Sequence, residues 1–439
     1  MITIIRGGTV VTALDDEPLT GADVVVEDAL VREVSPGRSA LGARADVEIY
    51  DAAGSTVLPG LIDAHTHLTT HTTFFEPTTV WPPPVTARSI AKGVLHGCHN
   101  ARELIRHGVT TVRDVGAHDH GIFELQRMID SGGLVGPRIV ACGRAIAMTG
   151  GHGMNAVSAD GPDEVRRLAR TELAAGAGAL KFMASGAGAE SRQSPYDCEF
   201  TEEEMAAGVR EAQAHHKTTC AHSMNPESTR NAVFAGINSI EHGLLLDDAS
   251  LELMHSRSVH YVPTVWTYQN SAENGEYYGS ERWMIPVIRE RVDQHLNCVA
   301  KAHELGVIIG AGTDSALPVN PPESMAWEAE WLHHCGLSIL ESVRAATVNN
   351  ALLLKLDDRI GSLAPGRIAD IVVVDGSLHE DLSALLRVKA VFKNGAPVVQ
   401  DGQICQSSLY RAAEQPPPGP LPPPSWHRAA PTPHREVAQ

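Results

Sequence analysis

Short apolar segments alternate with longer amphipathic segments between Gly60 and about Lys355 of this 439-residue chain. Stretches such as "SIAKGVLHGCHNARELIRHG", "PDEVRRLARTELAAGAG" and "TEEEMAAGVREAQAHHK" have the apolar spacing of helices. Their alternation with apolar runs predicts βα units around a parallel sheet. We predict an α/β fold with a (β/α)8 TIM barrel, whose candidate strands are Leu61 to Ala64, Thr110 to Asp114, Arg138 to Gly143, Ala179 to Met183, Thr218 to Ala221, Ser239 to Ile240, His260 to Pro263 and Val307 to Gly310.

Both chain ends have a different pattern from the barrel region. "TIIRGGTVVTA" and "ADVVVEDALVREV" are short, valine-rich segments broken by turn residues, which is typical of β-hairpins. The pattern returns in "GSLAPGRIADIVVVDG" and in "VKAVFKNGAPV", where Asn394 and Gly395 indicate a turn. We therefore predict a small β-sandwich domain built from residues 1–58 and 356–405, a barrel at 59–355, and a disordered proline-rich tail at 406–439.

The charge and the cysteine content exclude several classes of function. A formal net charge of −18 disfavours binding to nucleic acid or to an anionic membrane, so the expected partner is a small-molecule substrate. The seven cysteines are scattered and form no Cys-x-x-Cys pair, which indicates neither a disulfide framework nor a thiolate zinc site. No signal region and no run of about 18 apolar residues occurs. We expect a cytoplasmic homo-oligomer without a membrane partner.

Six polar residues lie at or just after the carboxyl ends of predicted barrel strands, where enzymes with this fold place their active sites. His65 and His67 in "PGLIDAHTHL" are two residues apart on one strand, so both imidazoles can face one ion. Each residue alone also has a structural explanation, such as a core histidine, a lysine that reaches solvent or a helix N-cap. Their repetition around one barrel mouth makes separate structural explanations improbable and indicates one functional site that contains His65, His67, Lys181, His222, His242 and Asp314.

These motifs resemble those of the metal-dependent amidohydrolase superfamily, in its prolidase-like and imidazolonepropionase-like branch. The resemblance is carried by "PGLIDAHTHL", "GVTTVRDVG", "TGGHG", "LKFMASG", "AHSMNPESTRNAVFAGINSIEHG", "GAGTDS" and "GSLAPGRIADIVVVDG". It implies two divalent metal ions, which we expect to be zinc. His65, His67 and Asp314 would bind the first ion, His222 and His242 the second, and a carbamylated Lys181 would bridge both.

The resemblance also implies a reaction. A hydroxide that bridges the two metals would attack an amide carbonyl, and Asp314 would carry the proton to the leaving nitrogen. Lys181 argues against a deaminase with one zinc, because the mononuclear members of the superfamily lack this lysine. His152, in the glycine-rich loop "AMTGGHGMN", is assigned to the catalytic set and to substrate binding. Arg113 and Asp114 also match a family motif, but this pair could be purely structural, and both residues are left out of the catalytic set.

The substrate is less constrained by the motifs. Some prolidase-like relatives carry a tyrosine that holds a substrate carboxylate where this chain has Met224, and Arg192 is a candidate to supply that contact instead. Phe74, Phe75 and Trp81, together with the predicted loop "TVWTYQNSAENGEYYGSERW", could line a pocket, pack under their own loops or form an oligomer contact. Three hypotheses remain: a hydrolase of peptide-like amides or N-acyl amino acids that resembles Xaa-Pro dipeptidases and carboxypeptidases, a hydrolase of a cyclic amide, lactone, carbamate or thiocarbamate, and a barrel that binds without catalysis.

Overall fold

The structure is a computed structural model that describes residues 1–70, 90–153, 156–187, 194–277, 284–315 and 320–405. Its strands, in chain order, are β1 (Ile2–Val10), β2 (Leu19–Glu27), β3 (Leu30–Ser35), β4 (Val47–Asp51), β5 (Ser55–Pro59), β6 (Leu61–Thr66), β7 (Val109–Asp114), β8 (Arg138–Ala141), β9 (Ile146–Ala147), β10 (Val157–Ser158), β11 (Ala179–Met183), β12 (Thr218–Ser223), β13 (Ser239–His242), β14 (His260–Val262), β15 (Ile371–Asp375), β16 (Val388–Lys393), β17 (Ala396–Gln400) and β18 (Gln403–Ile404).

The α-helices alternate with the strands of the central region. In chain order they are α1 (Ile90–Arg106), α2 (Gly121–Asp130), α3 (Gly161–Ala175), α4 (Glu202–Ala214), α5 (Pro226–Ala235), α6 (Asp248–Ser256), α7 (Val265–Asn274), α8 (Met284–Arg289), α9 (Val292–Glu304), α10 (Ser324–His334), α11 (Ile339–Ala345) and α12 (Val348–Leu353). The helices predicted from the three amphipathic stretches are α1, α3 and α4. Thr201 and Glu204 start α4 as a capping box, and Gly176 ends α3 with a φ of 119°.

Two parallel sheets contain the strands of the central region. One has three strands in the order β6-β7-β8, and the other has six strands in the order β10-β9-β11-β12-β13-β14. Seven of the eight predicted strands correspond to β6, β7, β8, β11, β12, β13 and β14, with ends that differ by up to two residues. The α/β class with parallel strands is therefore confirmed, and the carboxyl ends of these strands meet on one side.

The prediction of a regular eighth strand at Val307 to Gly310 is wrong. This segment and the residues after it make isolated parallel bridges, from Ile309 to Tyr261 and from Ser315 to Thr66. The ladder is interrupted because several of its backbone groups bond elsewhere. The amide of Ala311 donates to the carbonyl oxygen of Ala345, and the amide of Thr313 donates to the Asp63 carboxylate. The segment nevertheless lies between β14 and β6.

The strands of both chain ends form one sheet of nine strands, in the order β18-β17-β16-β15-β5-β1-β2-β3 with β4 beside β1. The predicted pairing of the two ends is the antiparallel contact of β15 with β5, and the predicted turn joins β16 to β17 through Asn394 and Gly395, both with positive φ. The first half of β1 pairs with β4 and its end pairs with β5. Two separate packed sheets are not seen in the described part of these chain ends, so the predicted β-sandwich is not confirmed.

The prediction of a loop after the seventh strand is wrong for the first part of that segment, because Val265–Asn274 forms helix α7. The helix begins without a side-chain N-cap of its own. Instead the carboxylate of Glu328, fully buried on α10, accepts hydrogen bonds from the amides of Val265 and Trp266 at 3.1 and 2.8 Å. A distant carboxylate therefore satisfies the first amides of the helix, which local sequence patterns do not reveal.

The burial of Glu328 predicts how the stability of the protein changes with pH. Burial raises the pKa of Glu328 to about 8, against the two backbone hydrogen bonds, which lower it. A glutamate in an unfolded chain has a pKa of about 4.3. Between these values the folded state binds more protons than the unfolded state, so this group makes the protein less stable as the pH rises. Compared with Glu328→Gln, the wild type should lose up to about 1.4 kcal/mol more unfolding free energy per pH unit across this window. Denaturant unfolding measures the difference, and parallel pH curves for the two proteins would contradict it.

No helix in the described part of the chain is long and apolar enough to cross a membrane. The predicted tail at 406–439 lies outside the described residues, as do Phe74, Phe75 and Trp81.

Candidate metal centre

Five of the six candidate ligands lie at or just after the carboxyl ends of the parallel strands, and Lys181 lies in the middle of its strand. His65 and His67 are at the end of β6, Lys181 is in β11, and His222 and His242 are near the ends of β12 and β13. Asp314 follows the bridge segment between β14 and β6. Five of the six are buried, and His67 is partly exposed. Residues far apart in the sequence are therefore brought together on one side of the two sheets.

His65, His67 and Asp314 form a compact group of possible ligands. One ligand atom from each lies within 4.8 Å of the other two. Oδ1 of Asp314 is 3.1 Å from Nε2 of His67 and 3.5 Å from Nε2 of His65. Two imidazoles and a carboxylate at this spacing match the ligand types of divalent transition metals.

A second group lies beside the first. The ring of His242 is 4.7 Å from that of His65 and 4.7 Å from that of His222. Nζ of Lys181 and Nε2 of His222 are buried and have no hydrogen-bond partner among the residues that the structure describes. Burial lowers the pKa of His65, His222 and His242, and a positive charge on Lys181 acts in the same direction. Buried polar atoms without partners are costly, and a ligand would satisfy them.

Three of the imidazoles are held by their Nδ1 atoms. Nδ1 of His65 is 2.7 Å from the Glu241 carboxylate, Nδ1 of His67 is 3.0 Å from a backbone carbonyl oxygen, and Nδ1 of His242 is 2.8 Å from Oγ1 of Thr264. Such contacts fix the ring orientation of a metal-binding histidine. They leave the Nε2 atoms for a cation.

Glu241 belongs to a buried ion pair behind His65. The Arg113 guanidinium donates to the Glu241 carboxylate at 2.7 Å, to the Ser239 hydroxyl at 3.0 Å and to the carbonyl oxygen of Ala64 at 2.6 Å. Arg113 and Glu241 are both fully buried. Glu241 was not among the residues predicted from the sequence, although a carboxylate at the end of a predicted barrel strand is a signal that a partner must exist. Arg113 therefore supports His65 through Glu241, and its exclusion from the catalytic residues stays a prediction.

Asp114, the neighbour of Arg113, also has a structural contact. Its carboxylate accepts a hydrogen bond from the amide of Leu68 at 2.6 Å. This bond holds the backbone immediately after His67, so Asp114 shapes the loop that leaves β6.

Three strand-end residues around the centre have left-handed backbone conformations. His242 has a φ of 72°, Thr264 of 53° and Asp314 of 53°. Residues other than glycine rarely adopt this region, and β-branched residues such as threonine do so least. Strain of this kind is concentrated at functional sites. The sequence does not reveal it, because none of the three is a glycine or an asparagine.

Burial controls the protonation of most of the imidazoles. Burial lowers the pKa of His65, His222 and His242 well below the ordinary value, so these rings are neutral and can donate a lone pair. For His67, burial acts in the same direction, but the hydrogen bond and the charge of Asp314 outweigh it and raise the pKa. Neutral imidazole is the form that binds a metal.

The predicted substrate residues are only partly described. The His152 ring is 4.5 Å from the His222 ring, and its backbone amide donates to the Glu199 carboxylate at 2.8 Å. Met224 is buried, and the Tyr268 hydroxyl lies 3.8 Å from its sulfur atom. Arg192 lies outside the described residues. His152 is therefore beside the second group of ligands, on a loop held by Glu199.

Known proteins resemble this chain over most of its length. The profile of the amidohydrolase family matches residues 56–398. Ochratoxinase of Aspergillus niger is 29% identical over 426 residues, which cover 89% of this chain and 84% of the relative. The imidazolonepropionase of Salinispora tropica is 24% identical over 416 residues, which cover 88% and 95%. A crystal structure of a Xaa-Pro dipeptidase with bound methionine in the active site has a TM-score of 0.83 at 27% identity and covers 90% of this chain and 99% of that chain.

Proposed function

The chain belongs to the amidohydrolase family, in its prolidase-like branch, and hydrolyses carbon–nitrogen amide bonds; from this premise we propose that it uses two divalent metal ions to cleave a small peptide-like or N-acyl amino acid substrate. One observation carries the proposal. Two adjacent groups of ligand-type side chains meet at the strand ends, and the second contains buried Nζ and Nε2 atoms without partners in the described chain.

The residues fit a binuclear centre. His65, His67 and Asp314 would hold one ion, and His222 and His242 would hold the other. Imidazole nitrogen and carboxylate oxygen suit zinc, although they also accept cobalt, manganese or nickel. Two such ions would supply Lewis acidity, since they polarise an amide carbonyl and make water more acidic.

Lys181 would bridge the two ions as a carbamate. Lys181 is 1% exposed, and its buried Nζ has no hydrogen-bond partner among the described residues, so a charged ammonium there would be poorly stabilised. The nitrogen forms a bond to the carbon of carbon dioxide and releases a proton. The carbamate would carry one negative charge shared by two oxygens, and so could serve both groups of ligands.

Asp314 would move the proton during the reaction. Its carboxylate faces the imidazoles of His65 and His67 rather than a helix N-terminus. It would take a proton from the attacking water and donate it to the leaving nitrogen, as a general base and then a general acid. His152, whose ring lies 4.5 Å from that of His222, would orient the substrate carbonyl.

We also propose that the two parallel sheets close into a (β/α)8 barrel. Three backbone hydrogen bonds support its closure. The amide of Gly178, before β11, donates to the carbonyl oxygen of Ala141 in β8 at 2.8 Å. On the other side, Tyr261 in β14 donates to Ile308, and Ala64 in β6 donates to Ala311. These bonds join the two parallel sheets through both of their gaps. A closed barrel would place the five strand ends that carry the six candidate ligands around one mouth.

A substrate screen tests the proposed reaction. The metal-loaded protein should hydrolyse some N-acyl amino acids or Xaa-Pro dipeptides and should release the free amine. The comparison arms are cyclic amides, lactones, carbamates and thiocarbamates of similar size. Turnover confined to one of these other classes would overturn the proposed substrate, and no turnover of any class would overturn the proposed enzyme.

A further inference from the structure

Thr264 is strained at a position that no part of the proposed reaction uses directly. It has a φ of 53° and a ψ of 47°, and it is fully buried between the end of β14 and the start of α7. A left-handed conformation of a β-branched residue costs of the order of 1–3 kcal/mol. Such a conformation persists only where its surroundings enforce it.

Helix α10 enforces this conformation from the other side of α7. The Glu328 carboxylate accepts hydrogen bonds from the two amides that follow Thr264, those of Val265 and Trp266. Nε1 of Trp266 donates to the Ser324 hydroxyl at 3.0 Å, and the indole stacks on that of Trp327 at 5.6 Å. The first turn of α7 is therefore fixed to α10 by a buried carboxylate and an indole pair.

This arrangement places the hydroxyl group of Thr264 beside the imidazole of His242. Oγ1 of Thr264 lies 2.8 Å from Nδ1 of His242, which is itself left-handed. The contact uses Nδ1 and leaves Nε2 of the ring available, and the ring centroid of His242 lies 4.7 Å from those of His65 and His222. An extended conformation of Thr264 would move the hydroxyl away from the ring.

We propose that Thr264 is a positioning residue for His242, held in place by Glu328. Its hydroxyl oxygen accepts the Nδ1–H of the imidazole, which fixes the tautomer that carries a lone pair on Nε2. The inference rests on the proposed function, because it takes His242 as a metal ligand. It extends that function because it connects His242, a proposed ligand of the second ion, to α10. The contacts run from Glu328 through the first amides of α7 to Thr264.

Matched variants of Thr264 test the proposal. Thr264→Val keeps the branched shape and removes the hydroxyl, whereas Thr264→Ser keeps the hydroxyl. Titration of the metal-free proteins with Zn²⁺ should show the second ion bound about 10- to 100-fold more weakly by the Val variant, with the first ion unchanged. The Ser variant should bind both ions like the wild type. If Val is poorly folded, Thr264→Ala provides the same comparison. Equal affinity for the second ion in wild type and in a folded Val or Ala variant would overturn the proposal.

A readout without metal separates this proposal from the proposed function. In the metal-free wild type, ¹⁵N spectra of the histidine rings should show His242 protonated on Nδ1, with its signal identified by its loss in His242→Gln. Thr264→Val should shift the tautomer population, and Thr264→Ser should not. A wild-type ring protonated on Nε2 would overturn the role of Thr264. A wild type that shows this tautomer but binds one ion or none would overturn the binuclear function instead.

Discussion

Asp314→Asn should lower turnover by about 10²- to 10⁴-fold, the range for removal of a general acid–base group, while the protein keeps its metal. Asparagine has the size of aspartate and retains one oxygen that can face His67, whose Nε2 lies 3.1 Å from the carboxylate. It cannot accept a proton from water. Rates and metal content are to be measured on the same samples, because a loss of metal would also lower the rate.

Asp63 provides a control for Asp314. It is also a buried aspartate at the same end of the fold, but its carboxylate is occupied by the amides of His65 and Thr313 and by the Thr313 hydroxyl. Asp63→Asn should lower the stability of the protein and affect turnover less than Asp314→Asn does. If Asp314→Asn retains its metal and turns over within about threefold of the wild type, far short of the general-base range, Asp314 is not the proton shuttle.

Lys181→Ala should lose the second ion and most of the activity, because no other described side chain is assigned to both groups of ligands. The substitution leaves space for a small anion in the centre. Formate, acetate or propionate should therefore restore part of the metal content and part of the rate, since a carboxylate can replace the two oxygens of the carbamate.

Lys181→Met is the matched variant for this rescue. Methionine fills the volume of the lysine stem but cannot react with carbon dioxide, and it leaves no space for an added acid. It should be inactive with and without the acid. A Met variant with normal metal content and normal rate would show that the lysine is a structural residue of the barrel.

The six candidate ligands were predicted from their places at or near the ends of barrel strands, and in the structure they lie on one side of the sheets. Their positions follow from the alternation of strands and helices, which is a local pattern. Their roles as ligands remain proposals, as does that of His152. Arg192, Phe74, Phe75 and Trp81 lie outside the described residues, so their predicted roles remain open as well.

The supports of the centre could not be predicted in the same way. Glu241 holds His65 from a different strand, and Thr264 holds His242 from the next segment of the chain. Glu328 starts α7 from a helix distant in the chain, 63 residues after Val265. These contacts depend on the packing of distant elements rather than on local periodicity. The same cause explains the irregular segment after Gly310, where the amide of Thr313 donates to Asp63 and that of Ala311 donates to the carbonyl oxygen of Ala345 at the end of α11.

Metal stoichiometry tests the central claim most directly. Elemental analysis of fully active protein, combined with the rate of the same sample during slow chelation and re-addition of Zn²⁺, relates the number of ions to activity. We expect close to two divalent ions per chain, loss of activity as they are removed, and recovery when both return. Full activity with one ion per chain or with none would contradict a binuclear centre built from the two groups of ligands.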